Sequence, residues 1–189
     1  MTEREVLITG IGGQGIQLAA KILAEAASRE GKNVMLFGVY GGMIRGGPSD
    51  STVVIATGEI SSPPIIDEAW AVVAMHPVSL PTLLPKIRRG GVVLANTTLV
   101  VRPIDRQDVT VVEVPATRLA EEAGRIVGAS FVALGAFVAV TAIVSPDALI
   151  AAMRALIPPH RQALVTFNEK CFDLGRSWIE SRPQAKIAG

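Results

Sequence analysis

The sequence predicts an α/β fold, a mainly parallel, doubly wound sheet with helices on both faces. Three observations predict it. Short valine-rich runs alternate along the chain with segments of helical periodicity, the pattern of βαβ units. Those runs are apolar almost without interruption, as suits strands covered on both sides. A glycine cluster sits where the first run gives way to the first helical segment. A chain of 189 residues is long enough for one domain with a substantial core and short for two, so residues 1–181 read as one domain, with a disordered tail at 182–189.

Taken in order, strands are expected at 6–9, 33–37, 52–56, 71–75, 92–95 and 109–114. The first helix, 16–29, stops at Gly31, a natural left-handed terminator. A second, 80–88, runs to Gly90-Gly91, which makes Arg88-Arg89 a basic pair at its C-terminus. A third covers 117–127 and a fourth, very apolar, 131–144. Ser145-Pro146-Asp147 then reads as N-cap, first-turn proline and first-turn acid for a helix over 146–156. Pro158-Pro159 breaks the chain before a last amphipathic helix at 161–179.

The segment LITGIGGQGIQLAA carries Gly10, Gly12 and Gly15 in G-x-G-x-x-G spacing between strand and helix. The first glycine suits a tight turn, the second a ligand's approach to the backbone, the third close packing of helix on strand. Gly13, Gln14 and the helix start then present free N–H groups and a positive dipole end, a seat for phosphate. A dinucleotide site would also need a carboxylate about 20 residues on, at the end of the second strand. That strand runs into Gly38-Val39-Tyr40 with no acid, and Glu30 lies before it, at the wrong end. The loop is a phosphate cradle without the ribose partner of NAD.

A second cluster, YGGMIRGGPSD, has four glycines and a proline in eleven residues and reads as a loop at the carboxyl edge of the sheet, beside the first. Arg45, flanked by Gly46 and Gly47, is placed to fork a phosphate or carboxylate there. Asn96 ends the fifth strand as a candidate polar contact, with an Asx-turn as the competing reading. His76, held extended by Pro77 at a strand end, reads as a structural histidine and Tyr40 as packing. Cys171, in an apolar helix, reads as buried and inert.

Composition excludes several classes. Lys and Arg total 18 against 17 acids, which implies no basic face for nucleic acid. One cysteine cannot make an internal disulfide or a Cys-clustered zinc or iron–sulfur site. His76 and His160 lie far apart, so no metal site is expected. The mean hydropathy of +0.42 raises the question of a membrane, yet the longest apolar run, 131–144, falls short of the ~20 residues a span requires. Glu3 and Glu5 open the chain with charge and lead straight into a strand, unlike a signal peptide. A cytoplasmic location is expected.

The pair of glycine loops, GIGGQG and then YGGMIRGGPSDS, resembles the gamma subunit of the 2-oxoacid:ferredoxin oxidoreductases, a Rossmann-like domain. RRGGVVLAN at 88–96 and VALGAFVAVTAIV at 132–144 are similar to further segments of that family, so the resemblance runs from Val6 to about Gly175. It implies a subunit, inactive alone, of a complex that oxidatively decarboxylates a 2-oxoacid and transfers the acyl group to coenzyme A. Thiamine diphosphate and iron–sulfur clusters would sit on partner chains. These would be alpha and beta subunits, with a delta subunit as a further candidate, and ferredoxin would be reached through the complex. Self-association of the isolated chain is also expected from its 49% apolar composition. Carried over, Gly10, Gly12, Gly13, Gln14 and Gly15 would cradle coenzyme A phosphate, and Arg45, Gly46 and Gly47 would face the ligand or a partner. The late helix departs from the family in one place, where Gly128-Ala129-Ser130 stand instead of an asparagine. A stand-alone nucleotide-binding oxidoreductase and a purely structural assembly module are the alternatives.

Overall fold

The computed structural model describes residues 3–40, 46–61 and 66–182. Six strands form one sheet in the order β2-β3-β1-β4-β5-β6: β1 (Glu3–Ile11), β2 (Asn33–Tyr40), β3 (Pro48–Ala56), β4 (Ala69–Ala74), β5 (Ile87–Asn96) and β6 (Thr110–Val114). β1, β4, β5 and β6 are parallel neighbours, while β3 runs antiparallel between β2 and β1. The mainly parallel α/β sheet is therefore present, with one reversed strand. β2 and β3 form a hairpin, so the strand that follows the second glycine cluster is reversed and not parallel. β3 starts at the carboxyl edge, beside the end of β1, with Ile11 opposite Pro48. The tail expected at 182–189 lies outside the described residues except for Arg182.

The helices are α1 (Ile16–Arg29), α2 (Leu80–Leu83), α3 (Ala116–Glu122), α4 (Ala129–Thr141), α5 (Pro146–Leu156) and α6 (Gln162–Glu180). They fall unequally on the two faces. One core unites Val6, Ile8, Val53, Val73 and Leu94 of the sheet with α1, α3, α4, α5 and α6. The other face, around Leu7, Val72 and Val93, is covered among the described residues by α2, a short 3-10 turn, the loop carrying Ile104 and the segment before β4 with Ile66. The helix expected over 80–88 stops early because Pro85 lacks the backbone donor that would continue it, whereas Pro81 lies in the first turn, where no such donor is needed. Arg88 and Arg89 consequently belong to β5, where Arg88 lies 3.0 Å from the buried Glu5 carboxylate. α3 is also short, ending before Gly124 at φ +122°. α5 begins as its sequence reads, with the Ser145 hydroxyl accepting from Ala148 N–H at 3.2 Å.

α4 is apolar all round because it is enclosed all round, with 129–138 buried throughout. Gly135 lies against the Phe172 carbonyl of α6, and Gly175 against the Val132 carbonyl of α4, so the two backbones touch. Cys171 is buried at this crossing, beside Gly128. Burial pushes its thiol from 9.0 up to about 11. The unfolded thiol ionises first as pH rises, so its linkage contribution leaves stability untouched below about pH 8.5 and lowers it progressively towards pH 11. We expect an aromatic disulfide reagent at pH 8 to leave the native thiol unmodified and to titrate one thiol per chain in urea. Fast reaction without denaturant would contradict this burial.

The sheet's two edges differ. On β6 the indole N–H of Trp178 donates to the Glu113 carbonyl at 3.0 Å, with the Arg182 guanidinium 3.5 Å above the indole ring. Among the described residues β2 pairs only with β3, and its other side carries no strand.

Candidate functional site

The site is built where β1 ends. Gly10 is a packing position: a Cβ there would run into Gln14 Oε1 and Ile16. Close approach of helix to strand therefore falls to the first glycine of the motif and not to the third. Gly15 instead starts α1 in the left-handed region at φ +76° and abuts Ser130, the second residue of α4. Ser130 thus packs against the glycine loop.

The two glycine loops meet directly. Gly12 N–H donates to the Gly47 carbonyl at 2.9 Å, and a Cβ on Gly12 would lie 3.2 Å from Gly46 N. Arg45 lies outside the described residues, as does the Tyr40 side chain. Beyond the junction opens a concavity of about 440 Å3, lined by Gly12, Gly13, Gly15, Gln17, Lys21 and Ser49 among others. Its floor is the start of α1. The first helical bond of α1 is Ala19 N–H to Gly15 O, which leaves the amides of Ile16, Gln17 and Leu18 outside the ladder. Gly15 has no side chain to cap them, and the first turn holds no acid. Lys21 stands one turn further along, exposed and with no ion pair among the described residues. Amide donors, a positive dipole end and an ammonium group are the chemistry that an anion would meet here.

Gln14 and Asn96 serve the frame. Gln14 folds back, accepting from Ile11 N–H at 2.9 Å and donating to the Met75 carbonyl at 3.4 Å. Asn96 is 0% exposed. Its amide donates to the same Met75 carbonyl at 3.1 Å and to Thr117 Oγ1 at 2.8 Å, and accepts from Thr117 N–H at 3.1 Å. The expectation of a ligand contact at Asn96 is corrected by this geometry: burial and a full set of partners make it a hub that joins β4, β5 and α3. His76 accepts from Val78 N–H at 3.2 Å through Nδ1, a local turn, in keeping with its structural reading.

Three residues escaped the sequence reading. Lys21 looked like any solvated lysine on a helix, although its place two turns after the glycines was a usable signal. Gln17 Nε2 donates to the Asp50 carbonyl at 3.0 Å and fixes the hairpin to α1, with its Oε1 resting on Gly38. The Asp50 carboxylate accepts from Thr9 Oγ1 at 2.5 Å and Ser79 Oγ at 3.1 Å, tying β1 and β3 to the start of α2. A larger groove of about 780 Å3 runs beside Trp178 on the β6 edge and holds none of the residues singled out by the sequence.

The chain is an α/β domain whose two glycine loops meet at the carboxyl edge of its sheet. The chain belongs to the pyruvate ferredoxin/flavodoxin oxidoreductase family, whose model matches residues 5–178. It is 34% identical over 183 residues to the 2-oxoglutarate synthase subunit KorC of Methanothermobacter thermautotrophicus, covering 93% of this chain and 95% of that protein. Among solved structures, the gamma subunit of a keto/oxoacid ferredoxin oxidoreductase from Geobacter sulfurreducens matches with TM-score 0.80 and 32% identity, over 94% of this chain and 99% of that one. The 2-oxoglutarate:ferredoxin oxidoreductase of Magnetococcus marinus, solved with 2-oxoglutarate, coenzyme A and succinyl-CoA, shares the fold at TM-score 0.88 and 20% identity; this chain covers 32% of that chain. Among the described residues, no group of three His, Cys, Asp or Glu could hold a metal, and no helix is long and apolar enough to cross a membrane.

Proposed function

We propose that the chain is the gamma subunit of a thiamine-diphosphate-dependent 2-oxoacid:ferredoxin oxidoreductase and that its glycine loops hold phosphate of coenzyme A. The observation that carries the reading is the Gly12–Gly47 hydrogen bond, which brings the two loops of the family motif to one cleft floored by the uncapped amides of α1. Gly12, Gly13 and Gly15 leave the backbone bare, the amides of Ile16, Gln17 and Leu18 meet phosphate oxygens, and Lys21 adds charge. Arg45, beside Gly46 and Gly47, is the second cation of this reading, carried over from the family motif. Coenzyme A supplies the thiol that accepts the acyl group; this chain's part is to bind and orient its phosphates. Thiamine diphosphate and the iron–sulfur clusters belong to alpha and beta subunits, with delta as a further candidate. A chain whose single cysteine is buried is consistent with that division. The absence of a carboxylate from β2 weighs against a stand-alone dinucleotide enzyme.

The test is coenzyme A affinity in the reconstituted complex, measured by calorimetry with melting temperature as control. Each charge-assisted contact is worth roughly 1.5–3 kcal/mol, so Lys21→Ala and Arg45→Ala should each weaken coenzyme A by about tenfold or more. Gly12→Val, which drives a side chain into the loop junction, should weaken it further. Pantetheine, which keeps the thiol and lacks the phosphates, should bind Lys21→Ala and the parent alike. Unchanged coenzyme A affinity beside lost subunit binding would favour a structural module, a reading that the backbone-to-backbone nature of the Gly12–Gly47 contact also supports.

A further inference from the structure

The concavity at the glycine loops offers an anion two places and not one. Its lining begins at Gly12 and Gly13, passes the start of α1 and reaches Lys21. At 1.5 Å per residue, the helix rises about 9 Å between Gly15 and Lys21. The free amides of Ile16, Gln17 and Leu18 and the dipole end serve the first turn, beyond which that field fades. Lys21, on the second turn, carries the next positive charge. The opposite end is bare: a Cβ on Gly13, at φ +97°, or on Gly46, at φ +83°, would meet nothing within 4 Å. Behind Gly15 a second helix begins, for α4 has no side-chain cap and no acid in its first turn, so its positive end backs the loop. Ser130 Oγ is buried there without a hydrogen-bond partner among the described residues, 3.0 Å from where a Cβ on Gly15 would stand. A buried polar group left unmet in a folded chain marks a place where a ligand or water completes the set.

We infer, on the coenzyme A reading above, that this concavity takes the diphosphate bridge of the ligand and not its terminal 3′-phosphate. One phosphate sits on the α1 amides and its neighbour meets Lys21. The two groups ask different things of a site. The 3′-phosphate ends a branch, so it needs one cluster of donors and one opening. The diphosphate lies within the chain, with adenosine leaving on one side and pantetheine on the other. It needs two sets of donors in line and a site open at both ends, which bare Gly13 and Gly46 at one end and exposed Lys21 at the other provide. Two helix ends worth about half a charge each, together with the Lys21 ammonium, balance the two negative charges of the bridge. A 3′-phosphate gathers its charge on a single tetrahedron and leaves one of the two places empty.

The test is calorimetry on the reconstituted complex with coenzyme A, dephospho-coenzyme A, 4′-phosphopantetheine and pantetheine. Dephospho-coenzyme A lacks only the 3′-phosphate, 4′-phosphopantetheine keeps a single phosphate, and pantetheine has none. For each ligand the affinity of the parent is divided by that of Lys21→Ala, with melting temperature as control. The ratio should be about ten for coenzyme A and for dephospho-coenzyme A alike. It should stay below about three for 4′-phosphopantetheine, whose one phosphate takes the amides, and be about one for pantetheine. A tenfold ratio for coenzyme A that vanishes with dephospho-coenzyme A would put the 3′-phosphate here, overturning the inference while the coenzyme A reading stands. A full tenfold loss with 4′-phosphopantetheine would show that one phosphate spans amides and ammonium, and would overturn it too. No loss with any ligand would remove coenzyme A from the loops, and both readings would fall together.

Discussion

Gly175→Ala is expected to cost at least about 3 kcal/mol, and Gly175→Val or Gly135→Val to abolish the native fold. A Cβ at position 175 would land on the Val132 carbonyl, and one at 135 on the Phe172 carbonyl. Side-chain rotation relieves most overpacking, which costs ~1–3 kcal/mol. Here the obstacle is backbone on both sides, so α4 and α6 must separate. α4 has no solvent-facing side to retreat towards, since the stretch 129–138 is buried throughout. At roughly 2–4 °C per kcal/mol for a chain of this size, Gly175→Ala should melt ~6–12 °C lower. Urea denaturation followed by far-UV circular dichroism checks both substitutions; a valine variant that melts like the parent would contradict the crossing geometry.

Asn96→Leu should be nearly as damaging although it keeps the volume. The substitution strands Thr117 N–H and Oγ1 and removes one of two donors from the Met75 carbonyl, all in a buried setting. Each orphaned group costs about 1–3 kcal/mol, so a total near 3–5 kcal/mol is expected. Asn96→Asp separates burial from shape. A carboxyl in this site has its pKa raised by desolvation, so the protein is most stable with it neutral. Stability should then be best below about pH 4, where the carboxyl is protonated in folded and unfolded chains alike, and fall as pH rises. An Asn96→Asp variant equally stable at pH 4 and pH 7 would mean that the site is wetter than the structure has it.

The contrast between these residues and the glycine loops explains what the sequence could disclose. Gly10, Gly12, Gly13 and Gly15 were legible because glycine at fixed spacing between strand and helix has few other uses. Which glycine does which task was not, since packing at Gly10 depends on where Gln14 and Ile16 turn. Asn96 was ambiguous for a physical reason: a strand-end asparagine suits a buried hub as well as a ligand contact, and burial is a property of the neighbours. The reversal of β3 could have been foreseen. Seven residues between Tyr40 and Pro48 cannot hold the dozen or more that a parallel crossover needs, so a hairpin was required. Helices 80–88 and 117–127 were overextended because periodicity outran Pro85 and Gly124.

The Trp178 indole on β6 has a consequence for stoichiometry. A sheet with two bare edges is, in polymer terms, a bifunctional monomer: each addition leaves a new end, and growth continues into fibres. The Glu113 carbonyl is occupied from within its own chain, so a strand adding at β6 meets one acceptor already taken and an indole beside it. Addition there is handicapped where addition at β2 is not, and that inequality between the two margins, set by one aromatic side chain, works against open-ended growth.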